Sequence, residues 1–233
     1  ETWAIPLPAM PLENGSIRGA IVDAQSRLNV NALGASASAT NVDATRIARL
    51  LLARGENAGL LDAIGDWIDA DGQTRSNGAE DAYYAALPTP ALAADAPVVR
   101  LAELGAVRGV DPVRLAALAP FLGALPNAPV NVNTAPPEVL AALVDGLNSA
   151  TLAELVRSRA DKPFTTIAEF RARLPAGATL ASDLGITVRS DYFEVTVEAL
   201  QGTTQGRARA LLRRMAGSLP AIRGTLPSSG APR

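Results

Sequence analysis

The chain contains no cysteine and no histidine. These absences exclude disulfides, thiolate nucleophiles, Cys/His zinc centres and any catalytic triad with an imidazole base. Lysine occurs only at Lys162, so the positive charge is almost all arginine, and the richness in Arg and Ala reads as the imprint of a GC-rich genome. Lys+Arg number 21 against 23 Asp+Glu, a net charge of −2, which is the wrong balance for a domain that lives on phosphate contacts. No apolar run approaches the roughly 18 residues that a membrane span needs, and the start of the chain has no cleavable signal pattern. The absence of cysteine is compatible with cytosol and periplasm alike.

What is present is ample for a folded protein: 233 residues, 48% of them hydrophobic, enough for one large domain or two small ones. The chain opens on Glu1 rather than methionine, which predicts that an N-terminal piece has been removed.

Three textures follow one another. Ile17, Ala20, Ile21, Val22 and then Leu28, Val30, Ala32 predict two short strands, a hairpin around Asp23-Ala24-Gln25-Ser26. From about Val42 to Leu184 the apolar period becomes helical, as in Ile47, Leu50, Leu51 or Leu60, Leu61, Ile64, Trp67, Ile68. Gly55, Pro88, Pro97, Pro112, Pro120 and Pro126 keep these helices short. After Gly185 alternation returns in Tyr192 to Ala199, and the turn Gln201 to Gly206 leads into Arg207 to Met215 as a second hairpin. The segment from Gly224 to Arg233 reads as a disordered tail. The expected organisation is a sheet domain over 1–41 and 185–223, interrupted by a helical domain over 42–184, with a flexible tail over 224–233.

Two motifs carry further information. Asn131-Val132-Asn133-Thr134-Ala135-Pro136-Pro137-Glu138 predicts a helix start, with the Thr134 hydroxyl accepting from a first-turn amide and the prolines where a missing N–H does no harm. A second helix follows at Leu152, Leu155, Val156, then the turn Pro163-Phe164-Thr165-Thr166-Ile167 and another helix start. This order resembles the helix-hairpin-helix class, which includes DNA-binding modules and the helical domain of the type II secretion minor pseudopilin K.

The second motif is Asp66-Trp67-Ile68-Asp69-Ala70-Asp71 to Gly78-Ala79-Glu80-Asp81. Clustered carboxylates repel unless a cation or solvent relieves them, and calcium is the natural hard cation for an oxygen-rich loop. With Asp69 as the first position of a loop of about twelve residues, Asp71, Gln73, the Arg75 carbonyl, Asn77 and Glu80 follow at EF-hand spacing. Thr74 stands where that loop wants glycine, and Asp81 adds a carboxylate that it does not require. The expected set is therefore an oxygen-rich calcium loop of Asp69, Asp71, Gln73, Asn77, Glu80 and Asp81 rather than a true EF-hand. The bland reading is a solvated acidic turn whose Asp and Asn residues serve as caps.

Taken in order, Ser26-Arg27-Leu28-Asn29-Val30-Asn31, Asp66 to Asp71, Gly78 to Tyr84, Asn131 to Leu140 and Asp191-Tyr192-Phe193 make the chain resemble the type II secretion minor pseudopilin K family over almost its whole length. The resemblance implies an α+β fold, a pilin-like antiparallel sheet with a large inserted all-α domain holding a helix-hairpin-helix-like segment. It implies calcium (Ca²⁺) in the region of Asp69 to Asp81. It also implies a periplasmic, non-enzymatic subunit that caps or initiates a pseudopilus tip with minor pseudopilins I and J, and further contacts with minor pseudopilin H and the major pseudopilin. Membrane attachment would run only through the family's N-terminal hydrophobic helix, which anchors the precursor in the inner membrane. The rival is a competence-type helix-hairpin-helix DNA-binding protein. That reading needs a Gly-apolar-Gly turn whose amides meet phosphate, where this chain has Asp145-Gly146-Leu147-Asn148. A hydrolase using Glu80 and Asp81 lacks a partner acid positioned by the fold.

Overall fold

The computed structural model describes residues 8–34, 41–57, 59–215 and 221–226, the last group in its backbone only. Along the chain come β1 (Met10–Leu12), β2 (Gly15–Asp23), β3 (Leu28–Asn29), α1 (Val42–Ala53), α2 (Gly59–Ile68), α3 (Asp81–Ala85), α4 (Pro112–Leu118), β4 (Leu122–Gly123) and β5 (Val130–Asn131). There follow α5 (Pro137–Leu143), β6 (Val144–Asp145), α6 (Ser149–Asp161), α7 (Ile167–Ala172), β7 (Thr179–Leu180), β8 (Ile186–Thr187), β9 (Tyr192–Gln201), β10 (Thr204–Arg213) and β11 (Ala221–Leu226). The class is α+β. The chain divides into two compact units, one of residues 1–24 and 190–233, the other Gln25–Arg189.

The first unit is a five-stranded sheet in the order β1-β2-β9-β10-β11, antiparallel throughout. Its centre is the predicted hairpin: Gln201 pairs with Thr204 across Gly202-Thr203, and Gly202 has φ 58°, the left-handed conformation that a two-residue turn requires. The register sets Ile17, Ile21, Val195, Val197, Ala208 and Ala210 on one face and Arg18, Glu198 and Arg207 on the other. On the polar face Glu198 accepts two arginines, Arg18 at 2.5 Å and Arg207 at 3.5 Å. The chain leaves this sheet at Asp23 and re-enters beside it, with Ser190 Oγ donating to Asp23 Oδ2 at 2.6 Å.

The second unit is helical and holds the continuous hydrophobic core, whose residues run from Leu28 to Ile186. Helix α1 starts where Asn41 Oδ1 accepts from the amides of Asp43 and Ala44, and its inner face of Ile47, Leu50 and Leu51 is buried. Helix α2 buries Leu60, Ile64, Trp67 and Ile68. The long connections meet in three two-stranded ladders: β3 with β4 and β5 with β8 in parallel, β6 with β7 antiparallel. Arg46, though charged, is only 2% exposed. Its guanidinium meets Asp43 and the carbonyls of Ser182 and Leu184, tying the end of the unit to its first helix.

Four expectations need correction. The predicted hairpin over Ile17 to Leu33 does not form. Strand β2 belongs to the sheet, whereas Leu28 and Asn29 pair with Leu122 and Gly123, and Val30 to Leu33 is a 3-10 turn. Leu28 and Val30 are both buried in the helical unit's core, so their alternation was satisfied by distant packing rather than by a neighbouring strand. The unit boundaries accordingly fall after Ala24 and Arg189, not at 41/42 and 184/185. The helix expected at Thr134 begins at Pro137, with Pro136 in the cap position, and the Thr134 hydroxyl donates to the Asn131 carbonyl at 3.4 Å. Gly224 to Leu226, read as tail, lie in β11; 227–233 fall outside the described residues.

Candidate metal centre

The acidic motif leaves the end of α2 and returns to the start of α3. Asp66 sits on the buried side of α2 with no exposure at all. It accepts from the Arg75 backbone N–H at 3.1 Å and from Arg75 Nη1 at 2.6 Å. Asp69 follows three positions on, one helical turn further, and so shares that face. The loop then folds on its own side chains: Asp71 N–H donates to Asp69 Oδ1 at 3.3 Å, and Gln73 N–H to Asp71 Oδ1 at 2.9 Å. Such Asx turns are why Asp recurs every second residue. Across the loop, Arg108 donates to the Gly78 carbonyl at 2.9 Å and lies over the Tyr83 ring, while the Tyr84 hydroxyl accepts from Arg108 N–H. Tyr84 in turn stacks edge-on against Trp67, 4.9 Å between centroids.

This folding brings Asp69, Asp71 and Glu80 together, with a carboxylate oxygen from each within 4.8 Å of the others. Asp69 and Glu80 are each 7% exposed. Glu80 Oε1 is buried without a hydrogen bond, a costly arrangement for an anionic oxygen unless a cation compensates, whereas Asp69 Oδ2 has the Arg75 guanidinium 2.5 Å away. Burial first, then the charges of Asp66, Asp69, Asp95 and Asp71, push the Glu80 carboxyl up to about 7. Three converging carboxylates, with a buried Glu80 oxygen left unsatisfied, on a long irregular loop fit calcium, which takes about six to eight oxygens and tolerates uneven geometry.

The other predicted ligands are directed elsewhere. Asn77 gives its N–H and its side-chain amide to Asp62 Oδ2, at 3.1 and 3.0 Å. Asp81 Oδ1 accepts from Ala93 N–H at 2.9 Å, holding the segment after α3. Gln73 is exposed, and its backbone N–H serves the Asp71 turn. Sequence reasoning placed Asp66 in the motif but not at the centre and gave Arg75 only a carbonyl role; it missed the Arg75 side chain's contacts with Asp66 and Asp69. The spacing of Asp66 one turn before Asp69 was a usable signal; nothing in the sequence marks Arg75 as the partner of both.

The helix-hairpin-helix-like segment has a different character. Its turn residue Gly146 has φ 78°, and a Cβ there would come within 2.6 Å of the Gly177 carbonyl. Val144 and Asp145 pair with Leu180 and Thr179, and Asp145 holds Arg49 at 2.7 Å. The turn is thus packed against its own unit and carries an acid, unlike an open nest of amides awaiting phosphate.

An antiparallel sheet with a helical unit inserted between two of its strands defines a pilin-like subunit. Two family models, each described as type II secretion system, protein K, match residues 26–127 and 130–189. The type II secretion system protein K of Aeromonas hydrophila is 34% identical over an alignment of 238 positions that covers 92% of this chain and 71% of that protein. The protein K of Pectobacterium carotovorum is 30% identical over 230 residues, 91% of this chain and 70% of that one. A crystal structure of the GspK-GspI-GspJ complex from enterotoxigenic Escherichia coli contains a similar fold, with a TM-score of 0.84 at 24% identity, covering 98% of this chain and 85% of the other. The chain belongs to the type II secretion system protein K family, minor pseudopilins that are structural components of the secretion apparatus. Among the described residues no helix is long and apolar enough to cross a membrane.

Proposed function

We propose that this chain is the subunit that starts or caps the pseudopilus tip, in the periplasm, joined there by minor pseudopilins I and J. It acts as a scaffold and not as an enzyme. The observation that carries this reading is the likeness, over 98% of the chain, to a subunit solved with GspI and GspJ. The inserted helical unit, residues 25–189, adds bulk beyond a pilin-sized sheet, and such bulk is accommodated most easily at a fibre end. Growth of the fibre beneath such a tip would help export folded proteins across the outer membrane. Mixing the chain with the soluble parts of I and J and measuring mass by light scattering tests this directly. A complex with one copy of each is expected; three separate species would overturn the reading.

Calcium belongs to the same proposal. Asp69, Asp71 and Glu80 would hold it, with loop carbonyls and water completing the shell, and the ion would fix the loop joining α2 to α3. A ligand at a hundred times its dissociation constant stabilises the folded state by about 2.7 kcal/mol. Calorimetric melting should therefore drop on adding a chelator, and Asp69→Ala and Glu80→Ala should each abolish that drop.

A further inference from the structure

Arg75 stands inside the acid cluster. Its Nη1 lies 2.6 Å from Asp66 Oδ1 and 2.5 Å from Asp69 Oδ2. The two contacts differ in kind. The guanidinium is hydrogen-bonded to Asp66, which the Arg75 backbone N–H also holds, whereas Asp69 meets the same Nη1 as an ion pair and has no backbone N–H of Arg75 to hold it. Asp69 is also one of the three carboxylates that converge with Asp71 and Glu80, a group to which Asp66 does not belong. One guanidinium therefore bridges Asp66, which lies outside the converging group, and Asp69, which is a member of it. The place for it is built into α2: a Cβ on Gly65 would approach Nη1 to 2.8 Å, so a bare helix surface is what lets the side chain lie there.

We propose that Arg75 is the resident counter-cation of this centre. In the metal-free protein it neutralises Asp66 and Asp69 together; when a divalent cation enters, Asp69 Oδ2 passes from guanidinium to metal while Arg75 stays on Asp66. The inference rests on the calcium reading of the cluster. Its consequence is that Arg75 sets the affinity. It competes for one ligand oxygen, and its unit charge opposes the arriving ion from a few ångströms away. It also spares the metal-free state a buried pair of uncompensated carboxylates, which removal of the cation would otherwise leave.

The test is calcium titration calorimetry on the parent and on Arg75→Met, with melting curves in chelator and in calcium. Expected are binding about tenfold tighter in the variant, the gain from removing one nearby unit charge, and a loss of melting temperature that is larger in chelator than in calcium. A parent that responds to calcium beside a variant with unchanged or weaker binding overturns the exchange and leaves the calcium reading standing. A parent with no calcium response overturns both. Should Arg75→Met not fold, the parent itself reports through the Arg75 Nε–Hε resonance, assigned by its loss in Arg75→Lys. Movement of that signal with the same calcium midpoint as the thermal stabilisation supports the exchange; a signal that stays in place throughout overturns it.

Discussion

A Cβ at Gly78 would lie 1.8 Å from Asp66 Oδ2, against a carboxylate that is wholly buried and held by Arg75. Neither partner can retreat, so Gly78→Ala should cost about 3 kcal/mol or more, in the range of severe overpacking beside a buried charge. Urea denaturation of both proteins measures it, and a loss below about 1 kcal/mol would mean that Asp66 is not fixed as described. Glu169 supplies a pH signature elsewhere in the helical unit. Thr165 donates to its Oε2 from both the backbone, at 2.9 Å, and the hydroxyl, at 2.8 Å. These bonds first, and Lys162 after them, pull the carboxyl down from 4.5 to about 2. A depressed carboxyl stabilises the fold above its unfolded value and loses that contribution as pH falls through the folded one. The melting-temperature gap between the parent and Glu169→Gln should therefore be constant above pH 4.5 and close as pH falls toward 2. A gap that is independent of pH would remove the Thr165 contacts as its cause.

At the scale of elements, asparagine side chains stand in for backbone. Asn133 donates to the carbonyls of Phe164 and Val188, at 2.8 and 3.0 Å, and accepts from Phe164 N–H at 2.8 Å, joining the approach to α5, the turn before α7 and the end of β8. Asn29 makes a reciprocal pair with the Leu125 backbone, and Asn31 with that of Val98. Asn133→Ala would leave several backbone groups unsatisfied at once, so we expect a loss of about 3 kcal/mol, against about 1 kcal/mol for the helix cap Asn148→Ala. Equal losses in chemical denaturation would contradict the pinning role. These pins also show what the sequence could and could not reveal. The β9–β10 hairpin was legible because alternation and a glycine turn are local signals, and α1 and α2 because their apolar period is local too. The parallel pairing of Leu28 with Leu122 is a contact between distant residues, so the same alternation suggested a hairpin. In the candidate metal centre the carboxylates were visible as a cluster, but the diversion of Asn77 to Asp62 and Asp81 to Ala93 depends on how the loop closes, which spacing alone does not specify.

At the scale of the whole molecule, the two units differ in what holds them. Among the described residues, the continuous hydrophobic core lies between Leu28 and Ile186, inside the helical unit Gln25–Arg189. In the sheet Tyr192 and Phe193 are buried, while Ile17, Val195 and Val197 are only half-buried. A unit with its own core can fold alone, and Asp23 and Ser190, sheet-unit residues flanking the insert's two connections, are hydrogen-bonded to each other within the sheet unit. The fragment 25–189 should therefore melt cooperatively by circular dichroism. It should keep the calcium-dependent rise in melting temperature, because the acid cluster and Arg75 all lie within it. It should fail to co-elute with I and J, because the pilin-like sheet is the architecture that pilin-like partners share and the fragment lacks it. Co-elution of the fragment would move the interface onto the helical unit. A broad, non-cooperative melt would instead show that the sheet contributes to the helical unit's stability, and that the division into two units describes contacts without describing folding.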